Sequence, residues 1–290
     1  MHALVKQHYP EDYLFRLKLR IPWFVGLTLN DPFPRLSIGN RVPRKESLLV
    51  GPFPTRAAAQ MYEQQVSGLF QIRRCSEILS PSQNHPGCVY GEMNQCLRPC
   101  QCAVTREEYA SEALRMNEFL STNGRAALAV MTAARDRAAE QTDFEQAAHI
   151  HKQAEKIRTA AAARDEVVTN VYHLNGIALT RGIGNSEFQL WPMLEGCWEN
   201  CLRFEIPQDD AQAKSLDQAL RELLTAGLHK SLQQGRRAED LAIFARWYYS
   251  SWRDGKWFPF RQIEDLAYRK IVKEISSMAK VGRAHPVAQH

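Results

Sequence analysis

Residues 69–102 read LFQIRRCSEILSPSQNHPGCVYGEMNQCLRPCQC, and the rest of the chain is best understood outward from them. Cys75, Cys88, Cys96 and Cys100 are spaced C-x12-C-x7-C-x3-C, inside a segment (73–104) broken by Pro81, Pro86 and Pro99. That segment has neither helical nor strand periodicity, so apolar burial alone cannot hold its shape, and something else must staple it. Thiolates bind soft metals; four of them complete the tetrahedral shell of zinc or the corners of a four-iron cluster. Zinc sites usually carry close cysteine pairs at both ends. Here only Cys96 and Cys100 are close, a spacing that suits a wide four-iron cube better than one small ion. Five of the seven cysteines fall between positions 75 and 102. In so long a chain without a secretory leader, such clustering points to metal rather than to a disulfide framework.

Upstream, residues 1–53 read as short strands. Phe24 to Leu29 and Leu36 to Val42 are separated by Asp31-Pro32 and Pro34. Gly51-Pro52-Phe53-Pro54-Thr55 is a turn ending in a helix cap, and a helix follows from Arg56 to about Phe70. Downstream, Thr105-Arg106-Glu107-Glu108 has the form of a capping box opening a helix to about Ser121. Asn123-Gly124 ends it. A second helix spans about 125–141, and Asp143 caps a third, which carries Phe144, Ala147, Ala148, Ile150 and Ile157. The two form a helical hairpin. Beyond Ala163 the composition shifts to strands at 167–180, 187–194 and 197–206, then helices at about 208–233, 237–253 and 260–280. The predicted class is α+β: a basic N-terminal β/α segment (1–72), the cysteine loop (73–104), helices with the hairpin (105–166) and a C-terminal α/β region (167–290). The clearest break lies near 166.

The chain has 290 residues and a net charge of +5. Up to Arg74, eleven Lys and Arg stand against five Asp and Glu, so the remainder is close to neutral. A local basic excess attracts polyanions by counterion release, although a solvated basic face looks the same. No apolar run is long enough to span a membrane, and a cytoplasmic protein is expected. Asp209-Asp210 and Glu264-Asp265 read as helix starts, where carboxylates meet free backbone amides. Cys197 and Cys201 read as core on one strand face. The stretch from Ala242 to Arg253 interleaves aromatics with arginines. Such side chains can stack unpaired bases, but helical spacing favours burial of Phe244, Trp247 and Tyr248 in a core.

Leu69-Phe70-Gln71-Ile72-Arg73-Arg74-Cys75, Cys88-Val89-Tyr90, Cys96-Leu97-Arg98-Pro99-Cys100 and the run from Val104 to Tyr109 resemble the central cysteine region of the UvrC family, the incision subunits of bacterial nucleotide excision repair. Gly51-Pro52-Phe53-Pro54 resembles the segment that precedes it. The resemblance implies a 4Fe–4S cluster on Cys75, Cys88, Cys96 and Cys100. Cys102 stands where the family usually has glycine and reads as a spare residue. Asp143-Phe144-Glu145-Gln146-Ala147-Ala148 is similar to the UVR motif, through which UvrC pairs with UvrB. This implies a UvrB contact at Phe144, Glu145, Ala147 and Ala148, although His151-Lys152 replaces the family's usual Arg-Asp. Arg41, Arg44, Lys45, Arg73 and Arg74 are the candidate DNA contacts.

Family members carry two nuclease domains. The metal-binding glutamate of the first, a GIY-YIG domain, would precede Leu4-Val5-Lys6-Gln7, so this chain is expected to lack that site. The second is RNase H-like. Its opening strands are weakly echoed at Asn175 to Thr180, without the family's Gly-Phe-Asp strand, which implies at most a reduced remnant. The expected function is a UvrC-like subunit that binds UvrB and DNA, with a separate nuclease subunit supplying incision. A different class is a zinc-binding UVR adaptor resembling McsA, which regulates a partner protein. Adaptors of that kind use paired CxxC knuckles, absent here.

Overall fold

The computed structural model describes residues 2–43, 48–184, 186–206, 215–227 and 236–284. The chain forms two compact units: residues 22–171, and residues 1–21 together with 172–290. The first helices, α1 (His2–His8) and α2 (Tyr13–Arg16), therefore belong with the C-terminal half and not with the basic segment that follows them. Among the described residues no helix is long and apolar enough to cross a membrane.

The middle unit begins with β1 (Trp23–Leu27), β2 (Leu36–Gly39) and β3 (Leu49–Phe53), all antiparallel. Val25 lies opposite Ile38, and Leu27 opposite Leu36. Thr55 caps α3 (Arg56–Ser67), its hydroxyl accepting from the Ala58 amide at 3.1 Å. This helix buries Ala59, Tyr62 and Val66, the i, i+3, i+7 stripe that packs on the sheet's core. A one-turn helix, α4 (Val89–Glu92), interrupts the cysteine loop before α5 (Arg106–Thr122), α6 (Arg125–Glu140) and α7 (Phe144–Ala162). Tyr109, Ala113, Met116 and Phe119 of α5 enter the same core. The break between α5 and α6 falls at Asn123 and Gly124, which both have positive φ, and a Cβ at Gly124 would lie 2.8 Å from the Phe119 ring.

A short strand, β4 (Thr169–Asn170), then returns to pair with β3, giving the sheet order β2-β1-β3-β4. Val168 joins the core beside it. This returning strand moves the domain break from the expected 166 to 171/172.

The other unit is an antiparallel sheet of β5 (Gly176–Arg181), β6 (Glu187–Leu194), β7 (Cys197–Trp198) and β8 (Leu202–Glu205) with α8 (Leu216–Gly227), α9 (Arg237–Tyr248), β9 (Lys256–Pro259) and α10 (Tyr268–Ala284). The order is β7-β6-β5-β9, with β8 pairing along another part of β6. Every strand pair described here is antiparallel, so the expected α/β region takes an α+β form. Ile177, Leu179, Phe188, Leu190, Leu220, Leu224, Ile271 and Ile275 make its core. Cys197 and Cys201 do not share a strand: one lies in β7 and the other precedes β8. Asp209-Asp210 lies outside the described residues, while Glu264-Asp265 sits in a single 3-10 turn. Phe244 is fully buried, its ring 4.7 Å from that of Trp257, whereas Trp247 and Tyr248, also expected in the core, are only half-buried.

Strand β9 was not expected from the sequence. It is admitted by Gly255, whose φ is +89° and whose added Cβ would fall 1.9 Å from the Leu179 carbonyl oxygen. Gly255→Ala is expected to destabilise this unit by about 2–4 kcal/mol, read as a lower denaturation midpoint. A wild-type midpoint would refute that account of the strand.

Asp240 is fully buried on α9, accepting from the Trp198 amide at 3.2 Å, with the Arg236 guanidinium 3.7 Å away. Burial pushes its carboxyl up to about 6. A raised folded value favours the fold below the ordinary carboxylate range, and this contribution is lost as pH climbs through 6. Between pH 4 and 7 the wild type should lose stability on the order of 3 kcal/mol from this group, whereas Asp240→Asn should remove that slope. Parallel thermal melts check it; identical pH profiles in the two proteins would refute it.

Candidate metal centre and partner surface

The loop's two ends are set by local chemistry. At its exit the Thr105 hydroxyl accepts from the Glu108 amide at 3.2 Å, and the Glu108 carboxylate accepts from the Thr105 amide at 2.9 Å, a complete capping box. At its entry the Gln71 amide donates to the Glu112 carboxylate at 2.9 Å, and the Leu97 amide donates to the Gln71 carbonyl at 3.0 Å. The Ser82 amide reaches the Cys100 carbonyl at 2.9 Å. Arg98 and Cys102 adopt left-handed φ on either side of a 3-10 turn at Pro99–Gln101.

Cys96 and Cys100 are buried, Cys75 is half-buried, and Cys88 and Cys102 are exposed; none is in a disulfide. Burial pushes the Cys96 and Cys100 thiols up, and charge on their neighbours pushes the same way. Those neighbours are Cys75, Cys88 and Cys100 for Cys96, and Cys75 and Cys88 for Cys100. Cys75 and Cys88 thus lie close enough to both buried thiols to act on them, whereas Cys102 is not among those neighbours. Among the described residues, no three His, Cys, Asp or Glu side chains are placed to hold one metal ion.

The donor set suits a cationic centre. Buried thiols that repel one another's ionisation hold protons until a cation reverses the local electrostatics. Two donors already face sulfur: the Arg98 amide at 3.4 Å from Cys96 Sγ, and Arg73 Nη1 at 3.8 Å from Cys75 Sγ. Hydrogen bonds of this type orient ligands and support thiolate charge.

The expected DNA contacts separate. Arg73 is only 6% exposed and faces the loop, so it is not presented to a phosphate backbone. Arg74 is half-buried, its guanidinium 5.1 Å from the Tyr90 ring and bonded to the Ser67 carbonyl. Arg41 is exposed, whereas Arg44 and Lys45 lie outside the described residues. Sequence reasoning missed Arg35 and Arg106, which line a cavity of about 510 Å³ with Phe33, Arg73, Glu77 and Ile78. No periodicity or motif marks them, because they come together only in the fold.

The hairpin of α6 and α7 buries Ala138, Ile150 and Ala154. Asp143 caps α7 by accepting from the Gln146 amide at 3.0 Å. Immediately after this cap Phe144 is 70% exposed, with Glu145 and Ala148 also exposed and Ala147 half-buried. An aromatic side chain left in water at a hairpin tip is an unspent apolar anchor.

Residues 22–119 match the family described as UvrC/Cho excinuclease, middle domain. The chain is also similar to proteins named UvrABC system protein C. With that of Limosilactobacillus fermentum it is 30% identical over 169 residues, 58% of this chain and 27% of the relative. With that of Oleidesulfovibrio alaskensis it is 26% identical over 183 residues, 63% of this chain and 26% of the relative. With that of Symbiobacterium thermophilum it is 27% identical over 196 residues, 67% of this chain and 30% of the relative. The chain thus spans between a quarter and a third of the length of these relatives. No solved structure matches.

Proposed function

We propose that the chain, which matches the UvrC family over its middle domain, acts in nucleotide excision repair as a UvrC-like subunit, docking UvrB and DNA around a four-cysteine iron–sulfur centre. The presence of Cys75, Cys88, Cys96 and Cys100 inside the family-matched segment, with the first two close to the buried thiols of the last two, supports this reading. When bound, a 4Fe–4S cluster would cross-link a loop that lacks a core of its own. The chain's own residues do the rest. Cys96 and Cys100 supply buried ligands, the Arg98 amide supports the Cys96 sulfur, and the Thr105 capping box fixes where the loop enters α5.

In this reading UvrB is engaged by the hairpin tip, with Phe144 as the anchor and Glu145, Ala147 and Ala148 beside it. DNA is engaged by the basic surface of the middle unit, with Arg41, Arg35 and Arg106 as the accessible cations and Arg73 as a brace behind them. Incision would come from a nuclease site outside the residues matched here, on a separate subunit or elsewhere in a longer protein, in a cytoplasmic assembly.

Anaerobic purification with iron, sulfide and zinc analysis tests the centre. A brown protein with about four irons per chain supports the cluster. A colourless protein holding a single zinc supports the adaptor reading instead. A chain without either metal removes the four-thiolate reading.

A further inference from the structure

Arg73 carries an inference that rests on the four-thiolate reading and goes a step beyond it. We propose that Arg73 is a positioning residue for the metal centre: its fixed guanidinium orients Cys75 and donates a hydrogen bond to the Cys75 sulfur when that sulfur is a metal-bound thiolate.

The guanidinium is permanently charged, and burying it demands compensation. Its Nε donates to the Phe33 carbonyl at 2.8 Å, and its Nη1 donates to the Glu77 carbonyl at 2.8 Å and the Cys75 carbonyl at 3.2 Å. Carbonyls satisfy hydrogen bonds but do not neutralise a full charge. Among the described residues the carboxylate paired with it is that of Asp31, 3.7 Å away and 46% exposed, a loose partner for so buried a cation. A thiolate at Cys75, whose Sγ already lies 3.8 Å from Nη1, supplies further negative charge and shares the N–H that otherwise goes to the Cys75 carbonyl at 3.2 Å.

The group is also held still. The Arg73 amide donates to the Tyr109 hydroxyl at 2.9 Å, and that hydroxyl donates to the Pro34 carbonyl at 2.8 Å. Backbone and side chain are thus pinned to α5 and to the Phe33–Pro34 turn before any metal arrives. A lysine could keep the charge but not the planar fork that reaches Phe33, Glu77 and Cys75 together.

The test compares the wild type with Arg73→Lys, Arg73→Gln and Asp31→Asn, all iron-reconstituted without oxygen. It reads iron release to a chelator, reduction potential and far-UV circular dichroism. In both Arg73 variants, release should be roughly tenfold faster or more. The potential should move to more negative values, because a lost N–H···S bond disfavours the reduced cluster. Asp31→Asn, at an exposed position, should keep the fold and change both readouts in the opposite direction by less, because it removes the carboxylate that competes with the thiolate for Arg73. If the wild type holds zinc, the release comparison is made with zinc.

A folded Arg73→Lys protein with wild-type release and potential overturns the proposal even if it melts earlier, since packing alone would explain the melting. If neither Arg73 variant folds, Asp31→Asn decides, and wild-type behaviour there overturns it. A wild type that holds no metal overturns this inference together with the four-thiolate reading. A loaded wild type with unaffected variants overturns the inference alone.

Discussion

Cys96→Ser is expected to strip the centre of its metal and to open the 73–104 loop to proteolysis, while Cys102→Ser leaves both unchanged. Cys96 is buried, coupled to the other three thiols and bonded through its sulfur to the Arg98 amide, whereas Cys102 is exposed and outside that set. If the cysteines were only packed side chains, exchanging one sulfur for oxygen would cost on the order of 1 kcal/mol and leave the loop closed. If they hold metal, the lost ligand removes much of a binding free energy on the order of 10 kcal/mol that folds the segment. The two cases differ so widely that metal content and cleavage between Cys75 and Cys100 separate them. Equal protection and equal metal in Cys96→Ser and the wild type would end the metal reading.

Phe144→Ala is expected to weaken UvrB binding by at least about 2 kcal/mol, roughly thirtyfold in Kd, with no loss of the chain's own stability. The separation follows from exposure. A side chain 70% in water contributes little to the isolated fold, so its truncation should stay within about 0.5 kcal/mol in a melt. As a partner's anchor it would lose an aromatic face that docking buries. Ala147→Leu complements it. Ala147 is half-buried on the hairpin, so a larger side chain there should disturb the helix pair as well as the docking. Titration against purified UvrB, with melts of each variant, reads both effects. Undiminished binding by Phe144→Ala removes the tip from the interface.

The helix caps were legible because they are local. Thr55, Thr105, Asp143 and Asn123-Gly124 each act on amides or carbonyls a few residues away, so residue type and spacing suffice to place α3, α5, α6 and α7. The strand at 187–194 was equally clear, since alternating burial is written into its residues. The cysteine spacing marks a candidate centre in the sequence, because four thiols in a proline-broken loop are close enough along the chain to be read together. Arg73 was misassigned to the DNA-facing set for a related reason. An arginine beside a cysteine reads as surface charge until the Phe33 carbonyl and the Tyr109 hydroxyl are seen to close around it.

By itself, then, the sequence determined the four-thiol loop, the hairpin and the α+β class, all consequences of contacts short in sequence. Only the tertiary structure decided how the chain is partitioned. The first 21 residues join the C-terminal unit. There, Lys6 Nζ and the Tyr13 hydroxyl both donate to the Glu239 carboxylate at 2.7 Å. Strand β4 returns to β3 and shifts the boundary, and β9 inserts beside β5 between two helices that the sequence had left adjacent. Each of these depends on partners many tens of residues away. No local pattern encodes such a pairing, because its free energy exists only once both partners are already folded.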